Sequence, residues 1–178
     1  MLGNYENFPE NVHGIGVFQY QEPTMRVQQA ILFALHQLNH EIYNVDNVIP
    51  YLKQNYKVGF EFGVAEDYDF NFLDKSELER CVRKVIEKEQ ETLDFFFVVR
   101  YHNIRENNKR VPLKFDYHLL RFIFRRSELE LKTRHEKGPQ HVPIEDLIDF
   151  ITTRINIELL HQQLTPLTIW DFVKISIR

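Results

Sequence analysis

Apolar residues recur every three or four positions over long stretches of the chain. This spacing places them on a single face and predicts amphipathic helices. The predicted helices span residues 23–40 and 74–91, a third begins at Pro143, and a short extra helix covers 46–56. Asp74, followed three residues later by Glu77, predicts a capped start for the second of these helices.

Between the helices, apolar and polar residues alternate, which predicts β-strands with one buried face. The predicted strands are 12–20, 58–64, 68–72, 93–102, 111–117, 128–134 and a closing strand after Pro166. Residues 93–102 are almost continuously hydrophobic, so we expect a central strand that is covered on both faces over part of its length. The alternation changes phase at Leu119 and Leu120, which predicts either a β-bulge or a passage into a short helix.

The order of these elements predicts an α+β fold, with an antiparallel sheet and helices mainly on one face. The N-terminal part follows the ferredoxin-like order βα(α)ββαβ, and a ββαβ group comes after it. We expect a single domain over residues 1–178, with a loose leader at 1–10 and a sub-division near 103–110 as an open alternative. Fold order alone indicates no function, because this arrangement serves many.

Composition indicates how the core is built and where in the cell we expect the protein. Hydrophobic residues make up 43% of the 178 residues and aromatic residues 13%, which is enough for a core without disulfides. The one cysteine, Cys81, lies on a predicted buried stripe, so we expect a core residue rather than a nucleophile. The sequence has no apolar run long enough for a membrane span and no secretion signal at its start. We therefore expect a soluble, cytoplasmic protein that contacts no membrane and carries no cofactor.

Charge is distributed unevenly along the chain. The net charge is −4, yet residues 100–141 carry eleven Lys and Arg against five Asp and Glu, while the rest carries eleven against twenty-one. A positive segment in an acidic protein indicates either an anionic partner or internal pairing with the acidic remainder. The candidate anion-binding residues, called the basic strip below, are Arg121, Arg125, Arg126, Lys132, Arg134, Lys137 and His141.

The basic strip supports the leading hypothesis, a non-catalytic binding module for nucleic acid or for an acidic protein surface. Arg121 and Arg125 point the same way in a strand or a helix, so their guanidinium groups can clamp one phosphate or carboxylate. Phe122 and Phe124 lie between them, an interleaving that is typical of single-stranded nucleic-acid grooves. A half-buried strand produces the same pattern, with the phenylalanines in the core and the arginines paired to acidic residues.

A small hydrolase or nuclease-like enzyme is the alternative hypothesis. The loop 134–141 combines histidines and cations around Gly138 and Pro139, a composition suited to acid–base chemistry or, equally, to a solvated hinge. If the apolar strand residues face the helices, a polar set is predicted on the open face of the sheet, as a catalytic surface or as a ladder of cross-strand pairs. That set comprises Glu61, Asp69, Asn71, Arg100, His102, Lys114, Asp116 and His118.

His36 and His40, four residues apart on a predicted helix, are spaced to bind one zinc ion. Gln37 stands where the metalloprotease motif needs a glutamate, and no third ligand is evident, so we predict no metal site. The sequence lacks a nucleophile elbow, a phosphate-binding glycine loop and kinase motifs, which favours a non-catalytic protein. A third hypothesis is a symmetric dimer in which the acidic part of one copy binds the basic strip of another.

Overall fold

The fold is an eight-stranded antiparallel sheet with four helices, in a computed structural model that describes residues 1–51, 56–104 and 110–175. The strands are β1 (Gly14–Gln19), β2 (Ile42–Asn44), β3 (Tyr56–Glu66), β4 (Asp69–Phe72), β5 (Thr92–Ile104), β6 (Arg110–Arg125), β7 (Glu128–Lys137) and β8 (Thr168–Lys174). The helices are α1 (Thr24–Leu38), α2 (Val45–Val48), α3 (Lys75–Glu87) and α4 (Ile144–His161).

The three long helices lie where the periodicity predicts them. At the start of α3, Asp74 Oδ1 accepts a hydrogen bond from the Glu77 N–H at 2.8 Å, which confirms the predicted cap. Cys81 on α3 is buried in the core, as predicted, and burial raises the pKa of its thiol to about 12. The predicted extra helix at 46–56 is shortened to α2 and preceded by β2, while residues 52–55 lie outside the described residues.

The strands lie in the order β2-β3-β5-β6-β7-β1-β8, and β4 pairs with β3 beside this path. All pairs of these strands are antiparallel, so the predicted α+β class is confirmed. The predicted ferredoxin-like order concerns the succession of elements along the chain. It stays a prediction, because the strand order of the sheet, in which β1 lies between β7 and β8, does not confirm it. The sub-division predicted near 103–110 falls largely on residues outside those described.

The core lies between one face of the sheet and the helices. Strand β5 contributes every second side chain to it, namely Leu93, Phe95, Phe97, Val99 and Tyr101. Phe62 on β3 stacks on Phe97 with ring centroids 5.1 Å apart. Phe96 and Val98 on the opposite face of β5 are half-buried, which agrees with a central strand covered in part on both faces.

Residues 1–10 lie against the ends of β3 and β5, so the prediction of a loose leader was wrong. The Gly3 N–H donates to the Ala65 carbonyl at 2.7 Å, and the Gly3 carbonyl accepts from the Asp94 N–H at 2.8 Å. Leu2 is buried with the core. These contacts join residues far apart in sequence, which a local polar pattern does not encode.

Strand β6 continues to Arg125, so the phase change at Leu119 and Leu120 is not a passage into a helix. The pairing of β6 with β7 shifts register between Tyr117 and His118, which agrees with the bulge alternative. The closing strand predicted after Pro166 is β8. Within the described ranges, no helix is long and apolar enough to cross a membrane.

Candidate functional site

A group of titratable side chains lies on the helix-facing side of β6 and β7. Asp116 and His118 on β6 and His135 on β7 each offer a ligand atom, and these atoms all lie within 4.8 Å of one another. Asp116 and His118 are fully buried, and His135 keeps 13% of its side chain exposed. No other group of three His, Cys, Asp or Glu among the described residues has ligand atoms placed this closely. We call it the Asp-His-His cluster.

Strand register explains why these polar residues face the helices. Val99 of β5 pairs with Asp116, and Phe97 pairs with His118. Residues directly opposite each other in an antiparallel pair point to the same face. Because Phe97 and Val99 belong to the core, Asp116 and His118 are turned inward as well.

The open-face prediction was therefore wrong for Asp116 and His118. The helix-facing positions of β6 continue into the core residues Leu120 and Phe122, so one strand face is polar at one end and apolar at the other. The prediction assumed that polar residues of an alternating strand face solvent. In this strand, half of the buried face is polar instead.

Asp116 accepts hydrogen bonds from three donors. Its Oδ1 accepts from His135 Nε2 at 2.9 Å and from the Gln140 N–H at 2.8 Å. Its Oδ2 accepts from the Tyr101 hydroxyl. Burial and the adjacent carboxylate raise the pKa of Tyr101, which keeps this hydroxyl protonated and able to donate. The carboxylate is thus held in one orientation, with Oδ1 towards His135.

His118 has no such partners. Both ring nitrogens are buried, and neither has a hydrogen-bond partner among the residues that the structure describes. The ring stacks on Phe97 with centroids 4.7 Å apart and meets His135 edge-on at 5.0 Å. Burial lowers the pKa of His118 to about 3, so the imidazole is neutral at pH 7. A buried polar group without a partner costs about 1–3 kcal/mol, so an imidazole kept in this state calls for a specific explanation.

The segment 138–142 passes close to the carboxylate. Gly138 has φ +120°, and a Cβ there would lie 2.2 Å from Asp116 Oδ1 and 2.3 Å from the Phe115 carbonyl oxygen. Only glycine lets the backbone approach so closely. The Val142 N–H donates to the Tyr101 hydroxyl oxygen at 3.3 Å, which ties the end of this segment to the same network.

The cluster has the donor set of a divalent transition-metal site. Two imidazoles and one carboxylate suit Zn²⁺ and the neighbouring first-row metals. With metal–ligand bonds of about 2.1 Å, ligand atoms of a tetrahedral site lie about 3.4 Å apart. The pair Asp116 Oδ1 and His135 Nε2, at 2.9 Å, is already close enough. The limit of 4.8 Å for the whole set means that the most distant atoms must approach by at most about 1.4 Å to reach this spacing.

Most of the basic strip is paired with acidic side chains. Arg121 forms an ion pair with the buried Asp94 at 2.7 Å. The other ion pairs of the strip, all with glutamates of β7, are Arg125 with Glu130 and Glu128, Lys132 with Glu130, and Arg134 with Glu136. Such pairing is the internal alternative that the sequence left open.

The remaining strip residues lie at opposite ends of β7. Arg126 is exposed in the turn before β7, whereas Lys137 is exposed at the end of that strand. At about 3.3 Å per residue, the strand separates them by roughly 30 Å. His141 is exposed beyond Lys137, with its ring 5.0 Å from that of Tyr101. The seven predicted residues therefore do not form one patch.

The other predicted candidates are dispersed. Arg100 forms an ion pair with Glu61 between neighbouring strands, as a cross-strand ladder would. Asp69 and Lys114 are exposed, and Asn71 donates to Glu66 and Glu77 at 3.3 Å. At the C-terminal end of α1, the Nε2 atoms of His36 and of His40, two residues beyond the helix, lie 3.2 Å apart.

Sequence reasoning missed the partners that complete the cluster. Tyr101 and His13 had no assigned role, and Gln140 was considered only as part of the loop 134–141. Yet the Tyr101 hydroxyl and the Gln140 N–H bind Asp116, and His13 Nδ1 accepts from the His135 N–H at 3.0 Å. One signal was present: Tyr101 continues the alternate buried positions of residues 93–99. A tyrosine at a core position needs a partner for its hydroxyl.

No family model, curated protein or solved structure matches this chain. Function must therefore be argued from the site itself.

Proposed function

We propose that this protein binds one divalent transition-metal ion through Asp116, His118 and His135. The observation that supports this most directly is His118, a fully buried neutral imidazole whose two nitrogens have no hydrogen-bond partner among the described residues. A metal ion would use the lone pair that the protein leaves unused. The neutral ring is already in the form that coordinates metals.

The ligand number favours a reactive site over a purely structural one. Structural zinc sites are closed by four protein ligands, whereas catalytic sites use three and keep a position for water or substrate. A bound ion would supply Lewis-acid chemistry and lower the pKa of a coordinated water to about 7. Asp116 would exchange its bond from His135 for the metal, and the Tyr101 hydroxyl and Gln140 N–H would continue to orient the carboxylate.

The direct test is titration of the purified, metal-free protein with Co²⁺ and Zn²⁺. We expect one ion per chain, with visible absorption bands from four- or five-coordinate Co²⁺. His118→Phe keeps a ring against Phe97 and breaks no hydrogen bond of the described residues, so it removes a ligand at little cost to folding. We expect this variant to bind at least about tenfold more weakly.

The matched control is the double variant His36→Ala/His40→Ala, which removes the histidine pair at the C-terminal end of α1, far in sequence from β6 and β7. It should bind the metal like the wild type. Absence of stoichiometric binding, or equal binding by His118→Phe, would contradict the proposal.

A second candidate function is the predicted binding of an anionic partner, nucleic acid or an acidic protein surface. It is favoured only by the exposed charges of Arg126 and Lys137, which have no ion pair within the described part of the chain. Binding of mixed DNA and RNA oligonucleotides at about 50 mM salt, weakened steeply by more salt, tests it.

A further inference from the structure

The two ends of the sheet differ in how they are protected. At one end, β2 has three residues, and β4 beside β3 has four. Short edge strands are a common defence against pairing with other chains. At the other end, β8 has seven residues and pairs only with β1 among the described strands. The β8 edge is thus long enough to accept a further strand.

The side chains of β8 are unusually apolar for an edge. Ile169, Trp170 and Val173 are 64%, 63% and 47% exposed. On α4, Asn156 is hydrogen-bonded to Leu167, so this side of the helix faces the segment that leads into β8. Leu160 lies one turn further along the same side and is 57% exposed. Strand β8 and helix α4 together present exposed apolar side chains at this end of the sheet, a feature that marks interaction surfaces.

The backbone of β8 has hydrogen-bonding groups directed away from β1. The Ile175 N–H donates to the His13 carbonyl at 2.7 Å, which fixes the phase of the ladder. Since the direction alternates along an antiparallel strand, residues 172 and 174 direct their N–H and C=O groups outward. In agreement, among the described residues the Phe172 N–H donates only to the side chain of its neighbour Asp171, at 2.8 Å.

We infer that β8 pairs antiparallel with β8 of a second copy, about a two-fold axis at Phe172. The same strand then satisfies the exposed β8 edge of both copies, and the two-fold closes the interface so that neither β8 edge stays open. A continuous sheet also brings α4 of each copy to the same side of the junction, where Leu160 is exposed. A strand from a different protein would pair with the β8 edge but would leave Leu160 on α4 uncovered.

The charges of β8 are compatible with this register. Asp171 and Lys174 are its two charged residues. With the axis at Phe172, Asp171 lies opposite Val173 of the second copy, so no like charges face each other. A shift that places the axis at Asp171 would set two carboxylates side by side, which is unfavourable.

The experiment uses a charge substitution that depends on this register. Val173→Asp places one carboxylate opposite Asp171 of the second copy, a repulsive contact that occurs twice by symmetry, whereas Val173→Lys places an opposite charge there. The side chain of Val173 is half exposed in the single chain, so either substitution should leave the fold intact. We expect a wild-type dimer in sedimentation equilibrium, a dimer Kd raised about tenfold or more by Val173→Asp, and no such weakening by Val173→Lys.

Trp170 provides an independent readout because it is the only tryptophan in the chain. Its emission should move to shorter wavelength as the dimer forms with increasing concentration, and should stay unshifted in Val173→Asp. A wild type that is monomeric up to about 100 µM would overturn the inference. So would a dimer that both substitutions weaken equally, or one that neither affects, since the β8 register would then not be the interface.

Discussion

Asp94 on β5 and His118 on β6 are both buried, but they use their hydrogen-bonding capacity in opposite ways. On the open face, Asp94 receives Arg121 Nε at 2.8 Å, the second guanidinium nitrogen at 2.7 Å and the Tyr5 N–H at 2.8 Å, and Phe8 covers the guanidinium at 4.2 Å. Burial raises the pKa of Asp94, and these bonds oppose the shift. On the helix-facing side, His118 is equally buried, but neither nitrogen has a partner among the described residues.

The difference separates a structural role from a binding role. Both oxygens of Asp94 accept hydrogen bonds, and the Arg121 guanidinium is bound by Asp94 and by the Tyr5 carbonyl, so the role of this pair is to hold the N-terminal segment on the sheet. A buried imidazole with unused nitrogens destabilises the fold unless something binds it. Arg121, predicted as an anion-binding residue, therefore belongs to the structural group, whereas His118, predicted on the open face, is the residue for which we propose a binding role.

The largest expected effect on stability comes from breaking the ion pair of Asp94 with Arg121. Arg121→Met leaves the Asp94 carboxylate buried without its cation, and we expect a loss of about 3–5 kcal/mol in the free energy of unfolding. Urea denaturation at pH 7 measures it. Arg125→Met is the matched control, because Arg125 is 54% exposed and its ion pairs should contribute less than about 1 kcal/mol. Equal, small losses in both variants would show that the Asp94 pair is not structural.

Acid should destabilise the protein by protonating His118. Because the folded-state pKa of His118, about 3, lies below the ordinary value of 6.5, the metal-free protein should lose stability as the pH falls from 6.5 towards 3. A full shift of this size corresponds to about 3–5 kcal/mol. Thermal unfolding of wild type and His118→Phe over this range measures it, and the variant should show a smaller loss. Parallel curves for the two proteins would contradict the assigned environment of His118.

The close approach of the 138–142 segment can be broken at its glycine. Gly138→Ala adds a methyl group next to Asp116 and requires an alanine at positive φ. We expect a loss of about 2–3 kcal/mol in the free energy of unfolding and weaker Co²⁺ binding, because Gln140 would no longer orient the carboxylate. Gly59→Ala is the control, because a Cβ at this position would have no neighbour closer than 3.6 Å. It should preserve metal binding. Unchanged stability and metal affinity in Gly138→Ala would contradict this role.

The smallest effects are expected at the unpaired ends of the basic strip. Arg126→Ala and Lys137→Ala should each change the free energy of unfolding by less than about 0.5 kcal/mol, since both side chains are exposed. If the strip binds an oligonucleotide, loss of either cation should lower the salt dependence of binding by about one unit of slope. Affinity that is independent of salt and of both cations would remove the second candidate function.

Much of the fold could be predicted from local patterns. Helical spacing located α1, α3 and α4, and the Asp74 cap is made within four residues of chain. Alternation, and continuous hydrophobicity for residues 93–102, located the strands other than the short β2. The position of residues 1–10 and the sheet order could not be predicted in this way, because they depend on contacts between residues far apart in sequence.

The candidate site shows where the sequence alone was sufficient and where it was not. The sequence determined that β6 carries Asp116 and His118 on one face, because their separation of two residues leaves no other choice in a strand. Only the tertiary structure decided which face that is, through the pairing of Val99 with Asp116 and of Phe97 with His118. A register shift of one residue exchanges the two faces of a strand, so the same residues would be solvated in one register and form a buried cluster in this one.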